Sequence, residues 1–228
     1  FLHALADDRV DDALEILLRT TPFPGVCGRV CPAPCMASCN RRDLDGAVDV
    51  RELERLAGDR GQVALVPAER RTARVAVVGS GPAGLSAAYH LALFGYGVTV
   101  LEADTVLGGL LRTGIPDFRL PPDVLDREID RILDLGVEVE FGEAIDRPRL
   151  VDTAARYDAV LVATGLQQAR LLRLGTGGAD MVEQGIDFLD RVKRGRAPRL
   201  DGEAIVVVGG GNTAMDAARS AWSTTRNH

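Results

Sequence analysis

Aromatic residues make up only 4% of this 228-residue sequence, a poor supply for a sandwich built on aromatic strands. Histidine is also scarce: His3, His90 and His228 are scattered, and none is assigned a catalytic role. Lysine occurs once, at Lys193, among many arginines; both side chains are cationic, and nothing physical in the sequence explains that bias. Positive charge is not in excess, since 27 basic residues face 33 acidic ones for a net charge of −6. No sequence-wide basic footprint for nucleic acid exists, and a polyanion partner is disfavoured. Near Phe1 there is no basic region followed by an apolar signal segment.

What is present points to a packed α/β chain. Apolar residues reach 46%, enough for a core, and glycine is frequent at 25 residues. The run from Val75 to Leu101 lacks Asp, Glu, Lys and Arg and could be mistaken for a membrane span, which needs about 20 such residues. Its glycines and Pro82 instead divide it into a strand, a helix and a second strand, the pattern of a buried βαβ unit. Residues 1–66 read as helical, with Val10, Leu14, Leu17 and Leu18 at helical spacing until Pro22 and Pro24. A cysteine loop follows. A second helix is expected from Asp49, which can cap it with Glu52 as the return partner, and Val50, Leu53 and Leu56 as the buried stripe. The stretch GQVALVPAERRTAR reads as an exposed linker, and from Arg74 strand and helix alternate. A helix is expected over about Asp123–Leu135 with Gly136 as its left-handed stop. YDAVLVATG reads as a buried strand, GIDFLDRVKRG as a short helix, and AIVVV as a strand before a second turn and helix.

Two glycine-rich strand-to-helix turns organise the chain. The first, Gly79-Ser80-Gly81-Pro82-Ala83-Gly84, follows the strand VAVV. Its first glycine allows the tight turn, the second lets backbone approach a pyrophosphate, and the third permits close helix-to-strand packing. The helix start then offers free N–H groups to phosphate. Glu102 closes the next strand, where a carboxylate can accept from a ribose hydroxyl. The second turn is Gly209-Gly210-Gly211-Asn212-Thr213-Ala214, with Ala in the third glycine's place. Its acidic partner belongs at the end of a following strand that the sequence does not reach. Between the turns, Gly108-Gly109-Leu110 and Ala163-Thr164-Gly165 are small-residue loops at which backbone can crowd a ligand. Together these point to one turn for FAD and another for a nicotinamide nucleotide.

All four cysteines, Cys27, Cys31, Cys35 and Cys39, fall in CGRVCPAPCMASC. Pro32 and Pro34 break any continuous helix, so a looped backbone can bring the thiolates together. Clustered thiols without an export signal suggest a reducing, cytoplasmic compartment, where disulfides are disfavoured. Structural zinc usually joins two close pairs separated by a dozen or more residues. The flavin-type neighbour favours an iron–sulfur cluster, with zinc and free buried thiols still open.

FPGVCGRVCPAPCMASC, GSGPAG with Glu102, GGLLRTGIPDFRLP, DAVLVATG, GIDFLDRV and GGGNTAMDAAR together resemble the small (beta) subunit family of glutamate synthase, which includes the amino-terminal part of dihydropyrimidine dehydrogenase. The resemblance implies a helical iron–sulfur domain over 1–66, a Rossmann-like FAD domain over 67–166, and the start of an inserted NAD(P)-binding domain over 167–228. It implies Cys31, Cys35 and Cys39 as ligands of 4Fe-4S clusters and Glu54 as a non-cysteine ligand, while Cys27 lies where relatives vary. It further implies FAD contacts at Ser80, Pro82, Ala83, Glu102, Gly109, Leu110 and Arg119, and a nicotinamide-nucleotide turn at Gly211, Asn212 and Thr213. Upstream cluster cysteines are missing, Met36 stands where relatives often carry Glu, and WSTTRNH departs from the expected continuation. The resemblance therefore implies a chain cut short at both ends.

The implied activity is that of an oxidoreductase passing electrons from NAD(P)H through FAD and iron–sulfur clusters to a partner redox subunit or other acceptor. The cofactors carry that chemistry, so no Ser/His/Asp or paired-carboxylate constellation is required. The rivals are an interaction module that keeps FAD only as a structural ligand, and a simple flavin reductase whose cysteines bind zinc or nothing.

Overall fold

The computed structural model describes residues 1–166, 182–200 and 202–224. Helices come first: α1 (Leu2–Ala6), α2 (Val10–Leu18), α3 (Pro24–Val30), α4 (Pro34–Ala37) and α5 (Val50–Arg60). Strand and helix then alternate as β1 (Arg74–Val78), α6 (Pro82–Leu93), β2 (Gly97–Glu102), α7 (Leu110–Thr113), α8 (Pro122–Leu133), β3 (Glu138–Phe141), α9 (Arg147–Arg156) and β4 (Ala159–Val162). After the undescribed 167–181 come α10 (Gly185–Lys193) and α11 (Asn212–Thr224). This is an α/β fold of the Rossmann class behind a helical segment.

The sheet is all parallel in the order β3-β2-β1-β4, with Val75 opposite Val98 on one side and Ala159 on the other. Alternation along the strands divides its side chains between two layers. Val77, Val98 and Val100 pack with Leu85 and Tyr89 of α6 and with Leu125, Ile129 and Ile132 of α8. Ala76, Val78 and Leu101 face Tyr157, which follows α9, on the other side. Phe23 and Val26 of the cysteine segment belong to the first of these cores, so the helical segment and the sheet share one apolar interior. The charge-free run resolves into β1, α6 and β2, and no described helix is long and apolar enough to cross a membrane.

Several sequence expectations are corrected. The cysteine stretch is not simply a loop: Cys27 lies inside α3, Cys31 ends it, and Cys35 lies in α4. Proline is well placed at the first turn of a helix, where its missing N–H is not needed, and Pro24 and Pro34 each start one. Asp49 accepts from the Glu52 N–H at 3.1 Å, but the Glu52 carboxylate turns to Arg51 and Arg55. Within α5, Ala57 and Gly58 are buried, whereas Val50, Leu53 and Leu56 are only half-buried. Gly58 permits a close approach to α3, since a Cβ there would lie 2.6 Å from the Gly25 nitrogen.

The strand expected to be buried, β4, is an edge among the described residues: there it pairs only with β1, and Leu161 and Val162 are exposed. AIVVV forms no strand, and Val206 is 84% exposed. Backbone N–H and C=O groups need a neighbouring strand to complete a ladder, and this segment has none among the described residues.

Candidate functional site

At the carboxyl ends of β1, β2 and β4 lies a cleft of about 750 Å³. Open parallel sheets bind ligands at this edge, where loops leave on opposite sides of a switch in strand order. Gly79 has φ +100 and needs the left-handed region, and a Cβ there would meet the Ala163 oxygen at 2.6 Å. A Cβ on Gly84 would lie 1.9 Å from the Gly79 oxygen, so only hydrogen fits between α6 and the turn. Gly81 differs, because a Cβ there would meet nothing within 4 Å and would project into open space at the α6 N-cap. Backbone N–H groups at the start of α6 and the room above Gly81 fit a pyrophosphate.

Glu102 locks this rim together. One carboxylate oxygen accepts the Ser80 N–H at 2.7 Å and the other the Asp104 N–H at 2.8 Å. Each oxygen retains a lone pair, which leaves capacity for a ribose hydroxyl. The buried Ser80 in turn accepts the Gly108 N–H through its hydroxyl at 3.3 Å and its carbonyl at 3.1 Å. Gly109 passes so close to the first turn that a Cβ would sit 2.8 Å from the Gly81 Cα. Gly79, Ser80, Gly81, Pro82 and Ala83 line the cleft, joined by Glu102, Gly109, Leu110, Thr164 and Gly165. Ten of the expected nucleotide-binding residues thus meet in one place. Gly84 supports the cleft through packing.

The second turn is elsewhere. Gly209, Gly211, Asn212, Thr213 and Ala214 do not line this cleft; Gly209–Thr213 are exposed and Ala214 half-buried. Arg119, matched to a flavin contact, does not line it either, and reaches Asp216 of α11 at 2.6 Å. Its loop faces α10 and α11, with Asp117 bonded to Lys193 and the Arg219 guanidinium 4.0 Å from the Phe118 ring centre. The carboxylate of Asp216, buried one turn into α11, needs a hydrogen-bonding partner there, and this guanidinium supplies it.

One wall of the cleft escaped the sequence reading. Arg194, just past α10, contacts Asp104 through two nitrogens, one at 3.2 Å, and Asp190 at 2.8 Å. The Arg194 hydrogen bonds hold the Asp104 carboxyl below its ordinary range. No local signal marks Arg194, since 90 residues separate it from Asp104.

The four thiols are free; Cys35 is exposed and the others half-buried. Among the described residues no group of three or more His, Cys, Asp or Glu side chains is gathered to hold a metal ion. The residues expected to bind metal lie on successive elements: Cys27 in α3, Cys31 at its end, Cys35 in α4, Cys39 shortly after it, and Glu54 in α5. Burial, then the Glu54 charge, pushes the Cys27 thiol up, and burial raises the Glu54 carboxyl. Cys39 is shifted down, first by the backbone of Val48 and then by that of Arg41.

A parallel sheet with a glycine turn at one strand end and a carboxylate at the next defines a dinucleotide-binding protein. The chain belongs to the pyridine nucleotide-disulphide oxidoreductase family, which matches residues 73–227. Residues 1–64 match dihydropyrimidine dehydrogenase domain II, 4Fe-4S cluster. The NADPH-Fe(3+) oxidoreductase subunit beta of Geobacter sulfurreducens is 38% identical over 97% of this chain and 34% of its own length. The NADP(+)-dependent formate dehydrogenase subunit beta of Moorella thermoacetica is 40% identical over 97% of this chain and 35% of its own. For the NAD-dependent dihydropyrimidine dehydrogenase subunit PreT of Salmonella typhimurium the values are 35%, 96% and 54%. The chain thus spans between about a third and about half of these relatives. Mycobacterium tuberculosis FprA in complex with NADPH shares the fold, with a TM-score of 0.58 at 23% identity over 68% of this chain and 41% of that one.

Proposed function

We propose that this chain is the flavin-holding part of an NAD(P)H-dependent flavin and iron–sulfur oxidoreductase of the glutamate synthase small-subunit type, delivering electrons to a partner redox subunit or other acceptor. The observation that carries the reading is the open space at Gly81, under the α6 N-terminus and beside Glu102. Bound there, FAD supplies the conversion between two-electron and one-electron transfer. The chain's own work is to hold and orient: α6 N–H groups for the pyrophosphate, Glu102 for a ribose hydroxyl, Gly109 and Gly165 for close backbone approach. The Gly209–Ala214 turn is the reading's place for NAD(P)H, supported by its sequence pattern and by the names of the NADPH- and NAD-dependent relatives. Cys31, Cys35, Cys39 and Glu54 contribute cluster ligands in this reading, on the strength of the family match over 1–64. Within this reading these residues fall short of a full four-ligand shell for each cluster, in keeping with no three of them being gathered among the described residues. A reducing, cytoplasmic setting suits four free thiols.

The test is anaerobic titration of the FAD-reconstituted chain with NADH and NADPH. Bleaching of the flavin band supports the reading; stoichiometric FAD without bleaching supports the structural-ligand module, which the exposed second turn favours for the isolated chain. Iron and sulfide analysis then separates a cluster protein from a simple flavin reductase.

A further inference from the structure

Helix α8 belongs to the flavin module, yet two adjacent residues on it reach into the helical segment, one to α3 and one to α5. Glu128 is wholly buried, with no exposed surface. Its carboxylate accepts the Gly25 N–H at 2.6 Å and the Val26 N–H at 3.0 Å, from residues more than a hundred positions away. Those are first-turn amides of α3, which have no partner within their own helix. The negative group therefore sits at the positive pole of the helix that carries Cys27. Arg127 does the reverse. Its guanidinium donates to the Gly58 carbonyl near the end of α5, and to Asp59, both at 3.3 Å. A cation is thus placed at the negative pole of the helix that carries Glu54.

The two poles are within reach of neighbouring side chains because α3 and α5 cross at glycines. A Cβ on Gly58 would lie 2.6 Å from the Gly25 nitrogen, and one on Gly28 would lie 2.5 Å from the Arg55 Cβ. Arg29 of α3 bonds Asp59 of α5 through two 2.9 Å contacts, which ties the pair to the acid that Arg127 also holds. A Cβ on Gly25 would come within 3.0 Å of the Glu128 oxygen, so the capped position itself has little space for a side chain.

We propose that Arg127 and Glu128 are positioning residues, a two-charge clamp that grips α3 and α5 by opposite poles and fixes Cys27 and Glu54 relative to the flavin cleft. The proposal rests on the functional reading only in taking the cysteine segment to work with that cleft. A buried carboxylate serving two helical N–H groups is costly to desolvate and is well compensated only in that arrangement. Neither residue lines the cleft.

The test uses the whole chain with FAD added. In Glu128→Ala, amide exchange at Gly25 and Val26 is expected to accelerate by about tenfold or more, and alkylation of Cys27 by iodoacetamide to accelerate with it. Glu128→Gln, which keeps one good acceptor, is expected to restore part of both effects. FAD affinity is expected to stay within about twofold of wild type in both variants, since every cleft contact remains. Leu125→Ala, a core truncation on the same helix, is the control: it lowers stability without selectively exposing Cys27 or the two amides. Should Glu128→Ala not fold, Glu128→Gln and Arg127→Ala carry the measurement. Unchanged exchange at Gly25 and Val26, or equal exposure of Cys27 in Leu125→Ala, overturns the clamp. A wild-type chain that takes up no FAD refutes the functional reading instead, and the exchange data still decide the clamp.

Discussion

Gly79–Gly84 and Gly209–Ala214 carry nearly the same motif in different surroundings. The first follows β1, which is paired on both sides and whose Ala76 and Val77 have no exposed surface. The second follows Ile205–Val208, which pairs with nothing among the described residues and is exposed throughout. A strand-to-helix turn becomes a phosphate cradle only when the strand is held, because the sheet sets where the helix N-terminus points. The flanking segments differ in the same way. The cysteine segment shares an apolar core with the sheet and is gripped at Glu128. The α10–α11 hairpin has its own small cluster around Phe188 and Leu189 and reaches the flavin module through ion pairs at Asp104, Asp117 and Arg119.

The largest effect that would break this contrast lies at the place of the third glycine in each turn. Gly84→Ala places a methyl group 1.9 Å from the Gly79 oxygen and is expected to cost about 3 kcal/mol or more by overpacking, read from denaturant unfolding. Ala already stands at position 214, and Ala214→Gly is expected to cost no more than about 1 kcal/mol there. Equal costs would mean that the two turns are built alike.

Next is the pH response of the cysteine segment's anchor. Burial pushes the Glu128 carboxyl up to about 7, against the pull of the Gly25 and Val26 N–H groups. The folded protein then holds a proton that the unfolded chain releases, so stability falls as pH rises from about 4.5 through about 7, and above that range the two N–H bonds of the clamp offset only part of the cost of the buried charge. The expected swing is about 3 kcal/mol, removed in Glu128→Gln, and equilibrium unfolding across that pH range measures it. An identical pH profile in the variant would rule it out.

Within the cleft, Gly81→Val fills open space rather than packed backbone. FAD affinity is expected to fall by about 100-fold with little change in unfolding midpoint, by fluorescence titration. Glu102→Ala is expected to weaken FAD binding by about tenfold. It also frees the Ser80 and Asp104 amides, so hydrogen exchange at those two positions should rise in the FAD-free protein.

The smallest effect sharpens the comparison of attachments. Raising the salt from about 0.1 M to about 1 M shortens the screening length from about 10 Å to about 3 Å. Amides of α11 are expected to lose protection worth about 0.5 kcal/mol, while those of α3, held in a shared core, do not change. Loss in both segments would show that the cysteine segment also hangs on surface charge.

What depends on neighbours along the chain could be read from residue order. β1, α6 and β2 were legible because the apolar runs, Gly79, Gly84 and Pro82 all act within a few residues of where they stand. The cleft's ten residues were legible for the same reason, since they lie at strand ends, in the loops that follow, or in the first turn of the next helix. Asp49 was readable as a cap from three residues of spacing. Only the tertiary structure decided which apolar strand would find partners. Val75–Val78 and Ile205–Val208 look alike as strings, but pairing, not β-propensity, makes a strand. It decided that Arg119 would turn to Asp216, that Arg194 would face Asp104, and that Glu128 would serve two amides a hundred residues upstream. A charged side chain settles where burial leaves complementary groups unsatisfied, and that place exists only once distant elements have packed.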